Sequence, residues 1–215
     1  IFIEHDTSVL TFNKSYFRTN RGIWAKYWEW LKRIRYHLEM GKYFDEFIVL
    51  SKKDKGVIEN YFPDKKVEII PTGVDVEYFK PHSYERNGKK TLLFVGHFLH
   101  YPNEDAMLYF TREIFPKIIA QLKDVRLQIV GSNPTNEILE LQKLPNIEVI
   151  PDVPDVRPYL QNASVYVCPI RLGGGIKTKV AEAMAMGLPV VATPHGSDGI
   201  ETVNGESIII TKISF

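Results

Sequence analysis

In the stretch PIRLGGGIKTKVAEAMAMGLPVVAT, residues 169–193, three glycines separate Arg171 from two lysines, Lys177 and Lys179, and one acid, Glu182, follows. The spacing predicts a helix from Ile176 to Met186 that runs into a strand at Pro189. Free amides at a helix N-terminus, at the positive end of its dipole, attract an anion. Gly173, Gly174 and Gly175 leave those amides uncovered by any Cβ. Lys177 and Lys179 put positive charge in the first turn, where it opposes the dipole unless an anion is bound. A phosphate or diphosphate accounts for that choice; basic side chains on a solvated turn are the plainer alternative. Arg171 offers a planar fork to a further phosphate oxygen. Glu182 shares a helical face with Thr178 and Lys179. Its neighbours Ala181, Ala183, Ala185 and Gly187 are small and leave room beside it. A carboxylate there accepts from two adjacent hydroxyls at once, the pair a ribose presents, unless an ion pair with Lys179 engages it.

The elements that must position these groups alternate between strand-like and helix-like runs, the pattern of an α/β fold with doubly wound parallel sheets. Before residue 80 the pattern predicts strands at 1–4, Phe47 to Leu50 and Val67 to Ile70. Helices are expected at 23–40 and, capped by Ser51, through Glu59. The polar run EYFKPHSYERNGKK, broken by Pro81 and Gly88, reads as a linker, which divides the chain into 1–80, 81–90 and 91–215. Beyond it come strands Thr91 to Val95, Arg126 to Val130, Ile147 to Ile150, Ser164 to Val167 and Pro189 to Ala192. Helices fall between them, the first capped by Asn103. Ligands of such sheets lie outside the carboxyl ends of the strands. Those ends are Gly96-His97, Gly131-Ser132, Pro151-Asp152, Pro169 to Gly175 and Pro194 to Gly199. Glycine recurs among them and admits close backbone approach, although tight turns alone also use it.

Composition bounds the rest. Apolar residues make up 44% and charged residues 25%, and 27 Lys plus Arg balance 26 Asp plus Glu. That is an ordinary globular mixture and argues against a nucleic-acid partner. The single cysteine, Cys168, excludes an internal disulfide, suits a reducing, cytoplasmic compartment and reads as a small core residue. No apolar run approaches the ~20 residues of a membrane span. No Walker pattern and no Gly-x-Gly-x-x-Gly after a first strand occurs, which speaks against an ATPase and a classical dehydrogenase. The opening IFIEHD reads as a core strand with its polar exit, and the closing ESIIITKISF as an uncovered strand, so the chain reads as a fragment.

VAEAMAMGLPVVATPHGSDGI resembles the C-terminal signature of retaining GT-B glycosyltransferases of family GT4. EFIVLSKKDKGVIENYFPDKKVEIIPTGVDVEYFKP, LLFVGHFLHYPNEDA, LQIVGSNP and ASVYVCPI resemble that family's segments in the same order. The resemblance covers nearly the whole chain and is nearest to a branch with a Gly-Gly-Gly loop that includes enzymes of exopolysaccharide and cell-surface glycan assembly. It implies a C-terminal nucleotide-sugar donor domain at 91–215 and the end of an N-terminal acceptor domain at 1–80. Glu182 matches the second Glu of the family's Glu-x7-Glu motif, which holds the donor ribose; Gly174 stands where the first Glu would be. His97 and Asn103 stand where the family often has Arg and Lys after the first strand of the donor domain, so Lys177 and Lys179 carry the diphosphate charge here. Gly96, His97, Arg171 and Gly173 to Gly175 complete the implied donor set, with the nucleobase near Ile150, Pro151, Asp152 and Val153. Transfer with retention from the leaving-group face needs no protein nucleophile, and helix amides with the lysines stabilise the leaving diphosphate without a metal. His5, at the end of the opening strand, is a candidate to face the cleft. No cofactor beyond the donor is implied, and the acceptor is a saccharide or a lipid-linked one.

Two rivals share these features: a GT-B nucleotide-sugar 2-epimerase, which needs further acids and a histidine in the cleft, and a non-catalytic nucleotide-sugar-binding module. The helix at 23–40 also admits two readings. Trp24, Tyr27, Trp28, Leu31, Ile34 and Leu38 form a stripe that a neighbouring sheet would cover. With Lys26, Lys32, Arg33 and Arg35, the same helix would lie on an anionic membrane at the inner face, near a lipid-linked acceptor. The sheet beside the stripe argues for the first.

Overall fold

A computed structural model describes residues 1–4, 7, 10, 23–82, 88 and 90–211. His5, residues 83–87 and residue 89 lie outside them. The described chain divides into two units. The first takes Ile1–Thr72 with Leu172–Lys177 and Asp198–Glu201, and the second takes Gly73–Arg171, Thr178–Ser197 and the segment from Thr202 on.

In the first unit, strands β1 (Phe2–Glu4), β2 (Glu46–Val49) and β3 (Lys66–Ile69) pair in parallel in the order β1-β2-β3. Phe47, Val49, Ile58, Phe62 and Val67 form its core with Leu10, and the rings of Phe47 and Phe62 stack at 5.1 Å. Helix α1 is Ile23–Gly41, and α2 is Lys52–Tyr61. Ser51 caps α2 as expected: its hydroxyl accepts from the Asp54 amide and donates to the Asp54 carboxylate, which the Thr7 hydroxyl also reaches. Gly41 ends α1 against Phe62, whose ring would lie 2.2 Å from any Cβ placed there.

The stripe on α1 is not a core stripe along its length. Leu38 packs against the core cluster, and Leu31 and Ile34 are half-buried, but Trp24 and Trp28 are 82% and 62% exposed. The expectation that a sheet covers the stripe fails over the first two turns. The helix is rotated so that Lys26 is buried and the tryptophans are not.

The second unit is built on six parallel strands: β4 (Thr91–His97), β5 (Arg126–Ser132), β6 (Ile147–Pro151), β7 (Val165–Cys168), β8 (Val190–Ala192) and β9 (Ile209–Ile210). Their order is β6-β5-β4-β7-β8-β9. Leu93, Phe94, Leu127, Ile129, Tyr166, Val167 and Cys168 are buried, as expected of strands covered on both faces. Gly96 and Gly131 pair across β4 and β5, and a Cβ on Gly131 would lie 1.7 Å from the Gly96 carbonyl oxygen. Close strand packing therefore explains Gly131 without any ligand.

Helix α3 (Tyr101–Tyr109) continues through a π-helical turn, Phe110–Ile114, into α4 (Phe115–Gln121). Pro116 in the first turn of α4 has no N–H to give the preceding turn, and the Phe115 amide bonds the Phe110 carbonyl instead. The remaining helices are α5 (Asn136–Glu140), α6 (Arg157–Asn162) and α7 (Thr178–Ala185). Two expectations are corrected. Asn103 is not a cap: His100 holds that position and Asn103 sits inside the first turn of α3. Helix α7 starts at Thr178, two residues later than expected, so Lys177 precedes it. Gly173 and Gly175 have φ of 91° and 71°, a left-handed backbone that keeps the loop from joining the helix.

Candidate functional site

Renumbered from its own first strand, the larger sheet has the order 3-2-1-4-5-6, and the chain direction of winding reverses between β4 and β7. Such reversals open a crevice at the carboxyl ends of the two strands, where ligands bind. At the end of β4, the exposed His97 ring shares a 2.7 Å hydrogen bond with the Ser132 hydroxyl at the end of β5. The His97 carbonyl accepts from the Asn103 side-chain amide at 2.8 Å. The oxygen of that amide accepts from the Lys179 ammonium at 2.5 Å, and the ammonium also stands 4.4 Å from the centre of the Phe94 ring. Two residues on, the buried Asp105 carboxylate takes the Arg171 guanidinium in a fork, at 2.9 to 3.1 Å. The guanidinium lies 3.9 Å over the Tyr109 ring. The N-terminal half of α3, through Asn103 and Asp105, thus holds two of the cations assigned to phosphate. Sequence reasoning misses Asp105 and takes Asn103 for a cap. The available signal is an amide and an acid two residues apart near the start of the helix that follows the strand where the winding reverses.

Glu182 lies on α7, half-buried. Burial pushes its carboxyl above the ordinary 4.5, and the nearby Lys179 charge pulls it back by less. Among the described residues no side chain or amide donates to it, and the ion pair with Lys179 is not made, because Lys179 reaches Asn103. The Tyr166 hydroxyl of β7, fully buried and bonded to the Val95 carbonyl, titrates well above its ordinary value because burial disfavours the phenolate; Glu182 adds a smaller push. A desolvated carboxylate that has no donor is poised to accept hydroxyl groups.

The glycine loop belongs to the first unit. Lys177 is buried there, its ammonium bonded to the carbonyl oxygens of Gly174 and Gly175 at 2.7 Å each. In the same unit Gly199 (φ 81°) packs so closely on Ile176 that a Cβ would come within 2.5 Å of it, and Asp198 pairs with Lys53. At the end of β6, Ile150 and Val153 are half-buried and Pro151 is exposed. Asp152 has a positive φ of 50°, its amide bonds the Gly131 carbonyl, and its carboxylate accepts from the Asn133 amide. Among the described residues no three His, Cys, Asp or Glu side chains gather as a metal set.

Residues 89–212, more than half of the chain, match the family described as glycosyl transferases group 1. The chain belongs to that family. Within it, an uncharacterized glycosyltransferase of Haemophilus influenzae is 31% identical over 163 residues, 71% of this chain and 44% of that protein. An uncharacterized 44.6 kDa protein in the cps region of Klebsiella pneumoniae is 22% identical over 97% of this chain and 55% of that protein. The chain spans about half the length of these relatives. The solved structure of sucrose-phosphate synthase from Thermosynechococcus elongatus superposes with a TM-score of 0.68 at 18% identity, over 98% of this chain and 54% of that one. The fold of this glycosyl transferases group 1 chain is the GT-B type, with parallel sheets layered between helices.

Proposed function

We propose that the protein carrying this chain transfers a sugar from a nucleotide-diphosphate donor to a saccharide or lipid-linked acceptor with retention, in the assembly of a cell-surface polysaccharide. The observation that carries the reading is Glu182: a half-buried carboxylate with no donor of its own among the described residues, on the helix that follows β7. It accepts the two ribose hydroxyls of the donor. Its position just over one turn into α7 sets it at the reach of a ribose whose diphosphate meets the start of that helix. Lys179 and the amides at the start of α7 take the diphosphate. Arg171 is tied to Asp105. Family membership and the relative encoded in a cps region support the reaction class and the polysaccharide setting.

In the step proposed, the bond from the anomeric carbon to the diphosphate oxygen breaks on the same face on which the acceptor hydroxyl oxygen bonds that carbon. The leaving diphosphate keeps the electron pair and takes the acceptor's proton, and donors fixed around it stabilise the charge it gains without a metal. The buried Cys168 fits a reaction in the reducing cytoplasm.

Calorimetric titration of the full protein tests the central assignment. Glu182→Gln should weaken donor binding by about 1–3 kcal/mol and Glu182→Ala by more, since a carboxylate loses its paired acceptance. A donor analogue lacking both ribose hydroxyls should bind the wild type and the alanine variant equally. An analogue that still distinguishes the two proteins removes the ribose role.

A further inference from the structure

The loop that leaves the end of β6, residues 152–156, is held at both ends. At its start the Asp152 amide donates to the Gly131 carbonyl at 2.9 Å, and the Asp152 carboxylate accepts from the Asn133 amide at 3.0 Å. At its end the Asp155 carboxylate accepts from the Arg157 amide at 2.9 Å and takes the Arg157 guanidinium in a fork, at 2.8 to 3.0 Å. Pro154 fixes the backbone between the two anchors. The bonds from Arg157 hold the Asp155 carboxyl below its ordinary value, so the fork stays closed at neutral pH. The same guanidinium lies 3.8 Å over the centre of the Tyr78 ring and donates to the Tyr78 carbonyl at 3.4 Å. Tyr78 is itself held. The Asp75 carboxylate accepts from the amides of Glu77 and Tyr78 at 3.0 and 2.9 Å, and the Phe79 amide donates to the Asp75 carbonyl at 2.8 Å. One turn further along α6, the Gln161 side chain accepts from the His82 amide at 2.9 Å. Segment 73–82 and the loop belong to the same unit, and Arg157 links them.

We infer that Arg157 is a positioning residue for the nucleotide: it fastens the loop after β6 to segment 75–80, so that the loop is already ordered when a nucleobase arrives. The inference rests on the donor reading proposed above, with the base near residues 150–153. Stability alone does not account for the arrangement. The Arg157 and Asp155 side chains are 35% and 32% exposed, and an ion pair so open to water contributes little by itself. What the guanidinium supplies is geometry, because its fork, its face and one further N–H are all engaged at once. A lysine could not replace it, since an ammonium has no plane to lay on the ring and no fork to close on the carboxylate. A loop left unfastened must be ordered by the ligand, and that cost is subtracted from its affinity.

The full protein is titrated calorimetrically with UDP, GDP, ADP, CDP and dTDP, which identifies the base that the wild type prefers. Arg157→Lys should weaken binding of the preferred diphosphate about tenfold, the cost of ordering roughly one freed loop residue. Ribose 5-diphosphate carries no base and should bind the wild type and this variant equally. Tyr78→Ala removes the face on which the guanidinium lies and should match Arg157→Lys. Tyr78→Phe keeps that face and should bind as the wild type does. A general loss of structure would weaken the base-free ligand as well, so the comparison separates positioning from stability. Undiminished nucleotide binding by Arg157→Lys, an equal weakening of ribose 5-diphosphate, or a loss in Tyr78→Phe each overturns the inference while the donor reading stands. A wild type that binds none of the five nucleotides removes the donor reading itself, and the inference falls with it.

Discussion

At the scale of single residues, the cations of the site are engaged in the structure. Arg171 is locked on Asp105 and Tyr109, Lys179 on Asn103 and Phe94, and Lys177 on two loop carbonyls. Glu182 alone among the proposed donor side chains of α7 has burial without a donor, and the imbalance has a consequence in pH. Its folded-state value lies above the ordinary 4.5, so between those two values the native chain holds more protons than the unfolded chain. Its ionised form therefore costs stability, a cost absent below the ordinary value and fully present above the raised one. Unfolding by urea should show this contribution declining as pH rises through that window. Glu182→Gln should remove that part of the slope and raise the urea midpoint at pH 7. If the variant keeps the wild-type slope, the carboxylate is not desolvated.

At the scale of elements, the pairing of β4 with β5 fixes where the rim residues stand. Gly96 lies against Gly131, and His97 against Ser132, which its ring bonds. The 1.7 Å separation between a notional Gly131 Cβ and the Gly96 oxygen leaves no room for any side chain. Gly131→Ala must push the two strands apart, and overpacking of this kind costs typically 1–3 kcal/mol. A fall of that size in unfolding free energy is expected, and the hydrogen bond from His97 to Ser132 should break as the strands separate. A neutral Gly131→Ala would show that the strands have slack. Gly56, with open space around its Cα, is the control: alanine there, inside α2, should be tolerated or stabilising.

At the scale of the molecule, two units with separate sheets make stability and binding separable. A nucleoside diphosphate that binds as proposed stabilises what it touches by about 2.7 kcal/mol at a hundredfold excess over its dissociation constant. Hydrogen exchange should then slow in β4, β7 and α7 of the second unit. The amides of β2 and β3 in the first unit are expected to exchange as before. Slowing spread evenly over both sheets, or confined to the smaller one, would contradict a donor site at the β4–β7 reversal.

Much of this is open to reading in the linear chain. Alternating apolar and turn-forming runs determine two parallel sheets, because a strand covered on both faces must be apolar throughout and a helix must return the chain. The motifs around Glu182 carry the family. A run of glycines between basic residues marks a loop whatever surrounds it. What only the tertiary structure decides is which partner each group takes. Arg171 finds Asp105 across 66 residues and Lys179 finds Asn103 across 76, and no local spacing encodes such pairs. The exposed side of α1 is likewise a tertiary outcome. A helical period reports that one face is apolar, but only the packed neighbours settle how far that face is covered, and here they cover Leu38 and leave Trp24 and Trp28 in water.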